Sequence, residues 1–508
     1  MAVETELKLR IAPEHLNRLK RHPLLKRLSV ARPNTRRLYN VYYDTPGLDL
    51  HRRAMALRLR RSGKQWLQTL KGGGGVQAGL HQRNEWEAPV DGEALDFEAL
   101  KACGGQRLPA SLRKKLKPLF VTDFSRTTRL LAFEGAQIEL CMDSGEIRAG
   151  RQCRAISELE LELKSGDPAQ LFGLALVLLD IVPLEIEHTN KAEYGYRLCT
   201  DARPYITRAT MPSVAAYPDV PSALQAMIWS CLRHLQANVP GAVQKLDEEY
   251  LHQVRVALRR LRVVLTMAEN VRADTELSAL HKQVAELCME LGRVREWDVF
   301  VTQTLKRIIA QLPAQPGLRK VLRVSEKLRE QHHVALVSRL HGQDYQRFLL
   351  RFGAWMYGRF WREAAVGGST LPRFVSRVLD IYGKQVNKRG KHLARAVPAR
   401  LHKLRIACKK LRYGAEMFAS LFDTVEAKRY MSALAAVQDN LGALNDIAVA
   451  HRLLDELDHA RSHESTSLIR GWIERDYVDQ VVKLNKAWKK FSKQSACWRK
   501  AASAQKTA

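Results

Sequence analysis

The chain has 508 residues, 46% of them hydrophobic and 27% charged, and its formal net charge is +30 at pH 7. A single hydrophobic core stops growing near roughly 250–300 residues, so this length predicts two domains. The composition excludes a largely disordered chain. The charge is uneven, with +8 in residues 1–200 and +22 in residues 201–508. We therefore expect a polyanionic partner mainly for the C-terminal part.

The N-terminal segment and the cysteines indicate the compartment. The first ten residues carry two glutamates and no apolar run, and no apolar stretch approaches the roughly 20 residues that cross a bilayer. We therefore expect a cytoplasmic protein without a membrane partner. The cysteines form no CxxC pair and have no histidine at zinc spacing, which predicts reduced, mostly buried thiols. They are Cys103, Cys141, Cys153, Cys199, Cys231, Cys288, Cys408 and Cys497.

Residues 1–200 consist of short segments in which apolar and polar residues alternate. Examples are ETELKLR, LYNVYYD, MALRLRR, WLQTLK, RNEWEAPV, QIELCMD and ELELELK. Alternation of period two, interrupted by Gly, Asp and Pro, is typical of an antiparallel meander or barrel. Helices are predicted between these strands at 13–26, 97–103 and 168–181. The glycines at 72–75 lack the Lys-Ser/Thr pair of a phosphate loop and predict a flexible hairpin.

The remainder of the chain has a different period. Residues 204–222 are rich in proline and predict a linker after a first domain at 1–203. In residues 223–500 apolar side chains recur three and four apart, which predicts amphipathic helices. Residues 501–508 are a tail.

The helical part also repeats itself. LHQVRVALRRLR at 251–262 matches LHKLRIACKKLR at 401–412, and LGRVREWDV at 291–299 matches LGALNDIAV at 441–449. Both pairs are offset by 150 residues, which indicates duplication of one multi-helix unit. The sequence therefore predicts an α+β multidomain chain, in which an antiparallel β domain precedes an all-α domain of two duplicated helical bundles.

Charged side chains recur on one face of the predicted strands. Glu4, Glu6 and Lys8 share a face opposite Leu7 and Leu9. The same parity groups Arg58 with Arg60, Thr69 with Lys71, Arg83 with Glu85 and Glu87, Glu139 with Asp143, and Glu158 with Glu160 and Glu162. Any single strand could simply present these residues to solvent. Together, carboxylates that suit Mg²⁺ or Mn²⁺ and cations that suit phosphate indicate a tunnel inside a closed barrel of about eight strands.

These segments resemble the CYTH family, the triphosphate tunnel metalloenzymes. ETELK at 4–8 matches the ExExK signature of the family. YYDTP, ALRLR, LK, ELELE and Lys191 in NKAEYGY follow in the family's order. The resemblance covers residues 1–200 and implies an eight-stranded triphosphate tunnel. It further implies metal-dependent hydrolysis of inorganic triphosphate to pyrophosphate and phosphate.

The resemblance also implies roles for individual residues. Catalysis is assigned to Glu4, Glu6 and Lys8, and Mg²⁺ or Mn²⁺ to Glu4, Glu6, Glu160 and Glu162. The expected substrate-binding residues are Lys8, Arg58, Arg60, Lys71, Arg126 and Lys191. Further tunnel acids are Glu85, Glu139, Asp143 and Glu158. The choice between Glu158 and Glu162 depends on strand register, and Arg129 is an alternative to Arg126, although it faces the other side of an unbroken strand.

Two basic helical stripes occupy equivalent places in the repeats. The first contains His252, Arg255, Arg259 and Arg262, and the second contains His402, Arg405, Lys409 and Arg412. One such stripe could be an ordinary solvated face. Because like charges on one helix face are destabilising and this pattern occurs twice, we expect an anionic ligand. The spacing offers no second histidine or acid at i+4, so it does not favour a metal site.

This half resembles the CHAD domain, a conserved-histidine helical domain often fused to CYTH. The resemblance covers residues 215–500 and implies binding of inorganic polyphosphate. In the second repeat Ala448 replaces Asp298. Nucleic acid is not favoured, because the stripes lack the interleaved aromatic residues that stack on bases. No obligate protein partner is inferred, and the cytoplasmic location would include association with polyphosphate granules.

Two other functions remain open from the sequence. The barrel could hydrolyse or cyclise an organic triphosphate such as thiamine triphosphate or ATP. Alternatively, the whole chain could bind polyphosphate without catalysis.

Overall fold

The computed structural model describes residues 3–77, 79–104, 108–200, 205–363, 370–391, 393, 397–422, 425–458, 463–496 and 498. The chain divides into two compact units. The first comprises Met1–Tyr205 and His341–Arg359, and the second comprises Ile206–Leu340 and Phe360–Ala508. Cys497, the predicted tail and the exact domain ends at 203 and 500 lie outside the described residues.

Within the described residues, the first unit contains nine antiparallel strands. They are β1 Val3–Ile11, β2 Asn34–Asp44, β3 Met55–Ser62, β4 Gln65–Gln77, β5 Leu80–Val90, β6 Lys117–Phe133, β7 Ala136–Ala149, β8 Gln152–Ser165 and β9 Leu184–Ile186. Hydrogen-bonded neighbours follow the order β5-β4-β3-β2-β6-β7-β8-β1, and β1 also pairs with β5. These eight strands form a closed barrel, as predicted. The short β9 pairs with the end of β1.

In the described sequence of the first unit, six helices lie between the strands and a seventh follows β9. They are α1 Pro13–Lys20, α2 Pro23–Leu28, α3 Asp49–Arg52, α4 Phe97–Ala102, α5 Ala110–Arg113, α6 Pro168–Leu179 and α7 Lys191–Thr200. The three predicted helical regions are confirmed, with the first divided into α1 and α2. α6 begins at a capping box in which Asp167 and Gln170 satisfy each other's backbone N–H groups.

Apolar side chains cover the outer face of the barrel. Leu7 and Leu9 of β1 and Leu161 of β8 are fully buried, and α6 packs against both strands. The alternate residues of these strands are charged and point inward. Period two therefore produces a barrel with an apolar outside and a polar lumen.

The glycines at 72–75 lie inside β4. The register between β4 and β5 shifts between Gly72 and Gly75, and Gly73 and Gly74 have φ angles of +70° and +78°. A Cβ on Gly74 would lie 1.8 Å from the carbonyl oxygen of Gln82. The predicted hairpin was wrong, because these glycines form a β-bulge within the strand. Residues with a Cβ would be unfavourable there, since the bulge needs positive φ angles and a close backbone approach.

Helices make up the described chain after residue 219. They are α8 Val220–Val243, α9 Glu248–Glu269, α10 Thr275–Val299, α11 Lys306–Gln311, α12 Pro316–His341, α13 Gln343–Tyr357, α14 Arg359–Glu363, α15 Leu371–Arg389, α16 Pro398–Met417, α17 Val425–Asp458 and α18 His463–Phe491. A π-helical segment, Phe300–Leu305, joins α10 to α11. α8 begins at Val220, three residues before the predicted start of the helical domain at 223, and the Asp219 side chain accepts from the Ser222 N–H at its first turn. None of the described helices combines the length and apolarity needed to cross a bilayer.

The helices confirm the predicted duplication. α8, α9, α10 and α12 each begin about 150 residues before a counterpart, which is α15, α16, α17 or α18. The histidine-led motifs lie on α9 and α16, and the two Leu-Gly motifs lie on α10 and α17. α13 and α14 fall between the two repeats.

α13 belongs to the first unit, although its sequence lies inside the predicted helical domain. A Cβ on its Gly353 would come within 2.2 Å of the Phe172 ring of α6. Phe172 also stacks on Tyr357, with ring centroids 5.9 Å apart. Gln346 Oε1 accepts a hydrogen bond of 3.0 Å from the Ile186 N–H of β9. Segment 341–359 is therefore a structural part of the barrel unit.

The described cysteines are free thiols in mixed environments. Cys141, Cys231 and Cys408 are buried, whereas Cys103, Cys153 and Cys199 are exposed. The three exposed cysteines lie at the ends of elements, where neighbouring side chains cover less of the surface. Cys103 follows α4, Cys153 is at the start of β8 and Cys199 is near the end of α7. The prediction that most of these thiols are buried was therefore wrong.

Candidate active site and anion groove

The barrel encloses a cavity of about 740 Å³ with a charged wall. The predicted residues that line it are Glu4, Glu6, Lys8, Arg58, Arg60, Lys71, Glu85, Arg126, Glu139, Glu160, Glu162 and Lys191. They come from different strands and from the start of α7. Strand parity therefore brings together residues that are up to 187 positions apart in the sequence.

Carboxylates form a row across three strands of this wall. Glu6 of β1 lies opposite Glu162 of β8, which lies opposite Glu139 of β7. Burial raises the pKa of Glu162, and repulsion from Glu4 and Glu139 adds to this increase. A cluster of mutually repelling oxygen ligands fits a hard divalent cation.

Guanidinium groups are concentrated on another part of the wall. Burial, together with repulsion from the neighbouring Arg58 and Arg126, lowers the pKa of Arg60 to about 10. Its Nε donates to Asn40 Oδ1 at 2.9 Å, which is a neutral partner. Positive charge that is buried without an equivalent negative charge fits phosphate oxygens.

Glu160 joins these two regions. It forms ion pairs with Lys8, Arg126 and Lys191, and the Lys191 Nζ lies 2.9 Å from its Oε1. Although burial alone would raise the pKa of Glu160, the cations Arg126, Lys191 and Lys8 hold it well below its usual range. Glu160 therefore remains a carboxylate in the tunnel wall.

Asp143 and Glu158 do not line the cavity, contrary to the prediction for tunnel acids. Arg126 donates to Asp143 through Nε at 2.8 Å and through Nη2 at 2.6 Å. Lys191 Nζ lies 2.7 Å from Asp143 Oδ2 and also pairs with Glu158. The register places both acids behind these cations, where they orient the cations toward the lumen.

A second grouping of acids contains Asp143, Glu158 and Glu160. One oxygen atom from each lies within 4.8 Å of the others, which is close enough for a shared metal ion. However, Lys191 forms ion pairs with all three. Its ammonium group offsets part of this negative charge, as Lys164 does for Glu162 and Glu139 and Lys8 does for Glu6 in the carboxylate row. Both groupings therefore offer carboxylate oxygens to a divalent cation, and Glu160 and Glu162 line the cavity.

The structure answers the two questions of register. Glu162 lines the cavity and Glu158 does not. Arg126 lines it too, whereas Arg129 faces outward and donates to Ser29 Oγ and to the Lys20 carbonyl oxygen. The strand is unbroken at this point, as the parity argument required.

Other lining residues were missing from the predicted set. They are Tyr42, Arg83, Glu87, Lys164 and Asn190. Strand parity had grouped Arg83 and Glu87 with Glu85, but they were given no role in the tunnel. Parity with Glu162 would have identified Lys164. Tyr42 can be assigned to the wall only once the pairing of β2 with β3 is known. Asn190 lies in a loop, where the sequence has no periodic pattern that would predict its position.

The second unit contains a groove of about 590 Å³ to which both repeats contribute. Its charged and histidine lining consists of Arg255, Arg259, Arg293, Arg295, Glu296, His402, Arg405, Asp446 and Arg452. Arg255, Arg259, His402 and Arg405 were predicted. The arginines at 293, 295 and 452 were not, although they lie in or beside the repeated Leu-Gly motifs.

Four residues of the predicted stripes lie outside the groove lining, namely His252, Arg262, Lys409 and Arg412. The last cation of each stripe lies ten residues after its histidine. Ten residues turn an α-helix through about 80° less than three full turns, so this cation points away from the groove. Arg412 instead pairs with Glu416 at 2.8 Å. His252 is exposed, although the groove residues Arg255, Arg259 and Arg295 act on it and, with partial burial as the main cause, lower its pKa.

Lys409 nevertheless belongs to the electrostatics of the groove. Burial, with repulsion from Arg259 and Arg405, lowers the pKa of Lys409 to about 6. Burial and the neighbouring Arg259 and Arg295 likewise lower the pKa of Arg255 to about 9. The groove therefore concentrates cations that an anionic ligand would stabilise.

A closed antiparallel barrel with a charged lumen, joined to a duplicated helical domain with a basic groove, defines the class of this protein. A family model described as the CYTH domain matches residues 2–196. A second, described as the CHAD domain, matches residues 226–455. The chain therefore carries a CYTH domain followed by a CHAD domain.

Several known proteins are similar to this chain. An inorganic triphosphatase of Haemophilus influenzae is 36% identical over 200 residues, which are 39% of this chain and 55% of that protein. The alignment thus spans about half of that relative. An uncharacterised protein of Mycobacterium tuberculosis is 25% identical over 445 residues, covering 80% of this chain and 81% of the relative.

A solved structure supports the fold of the helical part. The crystal structure of the CHAD domain from the plant Ricinus communis matches with a TM-score of 0.51 and 30% sequence identity. The match covers 57% of this chain and 98% of the plant domain.

Proposed function

We propose that the barrel hydrolyses inorganic triphosphate to pyrophosphate and phosphate, with Mg²⁺ or Mn²⁺ as cofactor. The observation that carries this proposal is one cavity wall with a carboxylate row beside a cluster of guanidinium groups. Similarity to the inorganic triphosphatase of Haemophilus influenzae supports it over the aligned 200 residues.

Carboxylate oxygens suit the proposed cation. Glu4, Glu6, Glu160 and Glu162 all line the cavity, and they would hold the metal. A divalent cation supplies charge neutralisation at the phosphates and lowers the pKa of a bound water. Lys71 Nζ lies 2.5 Å from Glu4 and 3.2 Å from Glu85. A phosphate at Lys71 would release both carboxylates from this lysine.

The cations of the wall would bind the substrate. Arg58, Arg60, Arg126 and Lys191 would donate to phosphate oxygens. Lys8 lies 3.0 Å from Glu6, and despite burial Glu160 and Glu6 raise the pKa of Lys8. A lysine that stays protonated cannot act as a general base. We assign it the stabilisation of negative charge near the phosphate that departs.

The aromatic side chains of the cavity support an inorganic substrate. Among the described lining residues, the aromatic rings are Tyr42 and Phe124. Tyr42 stacks on Phe120, and Phe124 lies beneath Arg126 and Lys191 at 5.6 and 5.0 Å. Because both rings already have partners, a nucleobase or thiazolium ring gains little from stacking there. This disfavours ATP and thiamine triphosphate.

A comparison of substrates tests this proposal on the full chain. Phosphate release is measured from tripolyphosphate, ATP and thiamine triphosphate, each with Mg²⁺, Mn²⁺ or EDTA. We expect metal-dependent turnover that favours tripolyphosphate. Preference for an organic triphosphate would contradict the inorganic assignment, and no turnover on any substrate would favour a non-catalytic polyphosphate-binding protein.

We propose further that the groove of the helical unit binds inorganic polyphosphate. The supporting observation is the convergence of Arg255, Arg259, His402 and Arg405 from both repeats on one surface. An anion with closely spaced phosphates can contact several of these cations at once. We propose a cytoplasmic location for the protein. Binding of polyphosphate there would associate it with polyphosphate granules.

Binding of fluorescent long-chain polyphosphate tests the groove. The double variant Arg255→Gln/Arg405→Gln is compared with Arg272→Gln, which removes an exposed arginine paired with Glu363. We expect the double variant to lose most of its affinity and the control to keep it. Equal losses in both variants would show that only net charge matters.

A further inference from the structure

Tyr42 is a buried aromatic residue in the wall of the tunnel. It is 4% exposed and lines the cavity. Its ring stacks on Phe120, with centroids 4.6 Å apart and planes inclined by 15°. The register of β2 and β3 places Tyr42 opposite Arg58. This packing fixes the ring and directs its hydroxyl group toward the cations of the wall.

The phenol has a cationic environment. The charge of Arg58, which lies opposite Tyr42 in the strand register, acts most strongly on the phenol, and Arg60 and Lys191 also act on it. Burial would raise the pKa of Tyr42, but these three cations lower it. Tyr196 of α7 meets Phe120 edge-on at 5.2 Å, and His51 and Asp44 also act on Tyr196.

Hydrogen-bond roles in this cluster follow from the chemistry of the groups. Protonated lysine and arginine have donors but no acceptor, so the phenol oxygen is the acceptor in any hydrogen bond with Arg58. None of the three cations can accept the proton of the phenol in return. That proton is available to a group in the cavity, where the cations would hold phosphate oxygens.

We propose that Tyr42 is a further substrate-binding residue of the tunnel, whose hydroxyl accepts from Arg58 and donates to a phosphate oxygen of the bound triphosphate. This inference rests on the proposed function of the barrel. Tyr42 thereby orients Arg58 and adds a neutral donor among the cations. It would lose this role as a phenolate, which has no proton to donate and repels phosphate.

The variant Tyr42→Phe tests the proposal, because it keeps the ring stack and removes only the hydroxyl. Tyr43→Phe is the matched control, since Tyr43 is the next residue and packs on the opposite side of the strand, against the cluster around Leu57. Steady-state hydrolysis of tripolyphosphate is measured for the full-length protein and both variants. Their melting temperatures verify that each is folded.

We expect KM of Tyr42→Phe to rise roughly 10- to 100-fold, the effect of one hydrogen bond to a charged group, with a smaller change in kcat. Tyr43→Phe should match the wild type. The wild-type kcat/KM should also fall at alkaline pH as the Tyr42 phenol ionises, and Tyr42→Phe should lack that component. A purely structural role of the hydroxyl would not produce this difference in pH profile.

The outcomes separate this inference from the proposed function. If the wild type hydrolyses tripolyphosphate and Tyr42→Phe has unchanged KM and an unchanged pH profile, the role of Tyr42 is overturned alone. If the wild type shows no turnover, the proposed function fails and this inference fails with it.

Discussion

The carboxylate of Glu160 balances three cations in the tunnel wall. It forms ion pairs with Lys8, Arg126 and Lys191, and its side chain is only 8% exposed. Neutralising a buried carboxylate of this kind leaves like charges facing one another without compensation. The structural role of Glu160 can therefore be separated from its proposed role as a metal ligand.

We expect Glu160→Gln to lower the free energy of unfolding by about 3 kcal/mol in the absence of metal. Glu139→Gln is the control, because Glu139 is 30% exposed and its ion pair is to Lys164 at 3.6 Å. Denaturant titration followed by circular dichroism in EDTA measures both. Equal stability of the two variants would contradict the balancing role of Glu160.

Lys409 makes the affinity of the groove depend on pH. Its pKa is about 6 without ligand, so it is mostly neutral at pH 7 to 8. A polyanion favours the charged form, so binding takes up a proton and the affinity falls as pH rises above 6, by up to about tenfold per pH unit. Titration calorimetry with long-chain polyphosphate from pH 6 to 8 measures this slope.

Two variants isolate the contribution of that lysine. Lys409→Met should flatten the dependence of affinity on pH. Lys410→Met is the control, because Lys410 lies over the Tyr382 ring at 4.6 Å and outside the groove lining. A slope that is the same in wild type and Lys409→Met would refute the assignment.

At the residue scale, strand parity predicted most of the tunnel wall. Alternation placed Glu4, Arg58 and Glu162 on the inner face because each strand is regular where they lie. Parity could not distinguish Glu158 from Glu162, since both share a face and only pairing with neighbouring strands decides which reaches the lumen. The helical stripes were less predictable, because a helix rotates away from a flat groove within three turns.

α13 supports the barrel from a distant part of the sequence. Its Gln346 bonds to the Ile186 N–H, and the next N–H, that of Glu187, donates to the Lys8 carbonyl oxygen at 2.8 Å. The segment that follows leads to Lys191. α13 thus supports the strand beside two of the proposed active-site lysines.

We expect Gln346→Ala to destabilise the barrel unit by about 1–3 kcal/mol, because it leaves the buried N–H of Ile186 unpaired. Gln343→Ala, at an exposed position in the first turn of the same helix, is the control and should have no effect. Hydrogen exchange at residues 184–187 of the full chain measures the local change. Unchanged protection in Gln346→Ala would contradict this supporting role.

At the element scale, the sequence predicted helices and strands better than it predicted their partners. α13 has the same period as the helices around it, so its pattern gave no sign that it packs on α6 and β9. The contact is visible only in the structure, in the close approach of Gly353 to Phe172 and the hydrogen bond from Ile186 to Gln346. The glycines at 72–75 show a similar limit, because a bulge and a hairpin require the same backbone freedom.

At the scale of the whole molecule, two sets of charged residues support two separable proposals. The tunnel residues belong to the first unit and the groove residues to the second. A fragment that ends at residue 205 would lack α13 and expose the apolar face of α6. Tests of the barrel should therefore use the full chain.

The proposed active site depends most directly on the carboxylates at the start of β1. The decisive measurement is Mg²⁺-dependent phosphate release from tripolyphosphate by Glu4→Gln/Glu6→Gln, with polyphosphate binding measured on the same preparation. Glu98→Gln, which changes a glutamate of α4 with a side chain that is 78% exposed, is the control. We expect the double variant to lose hydrolysis and keep polyphosphate binding, and the control to keep both. Hydrolysis at the wild-type rate in the folded double variant would contradict the proposed active site.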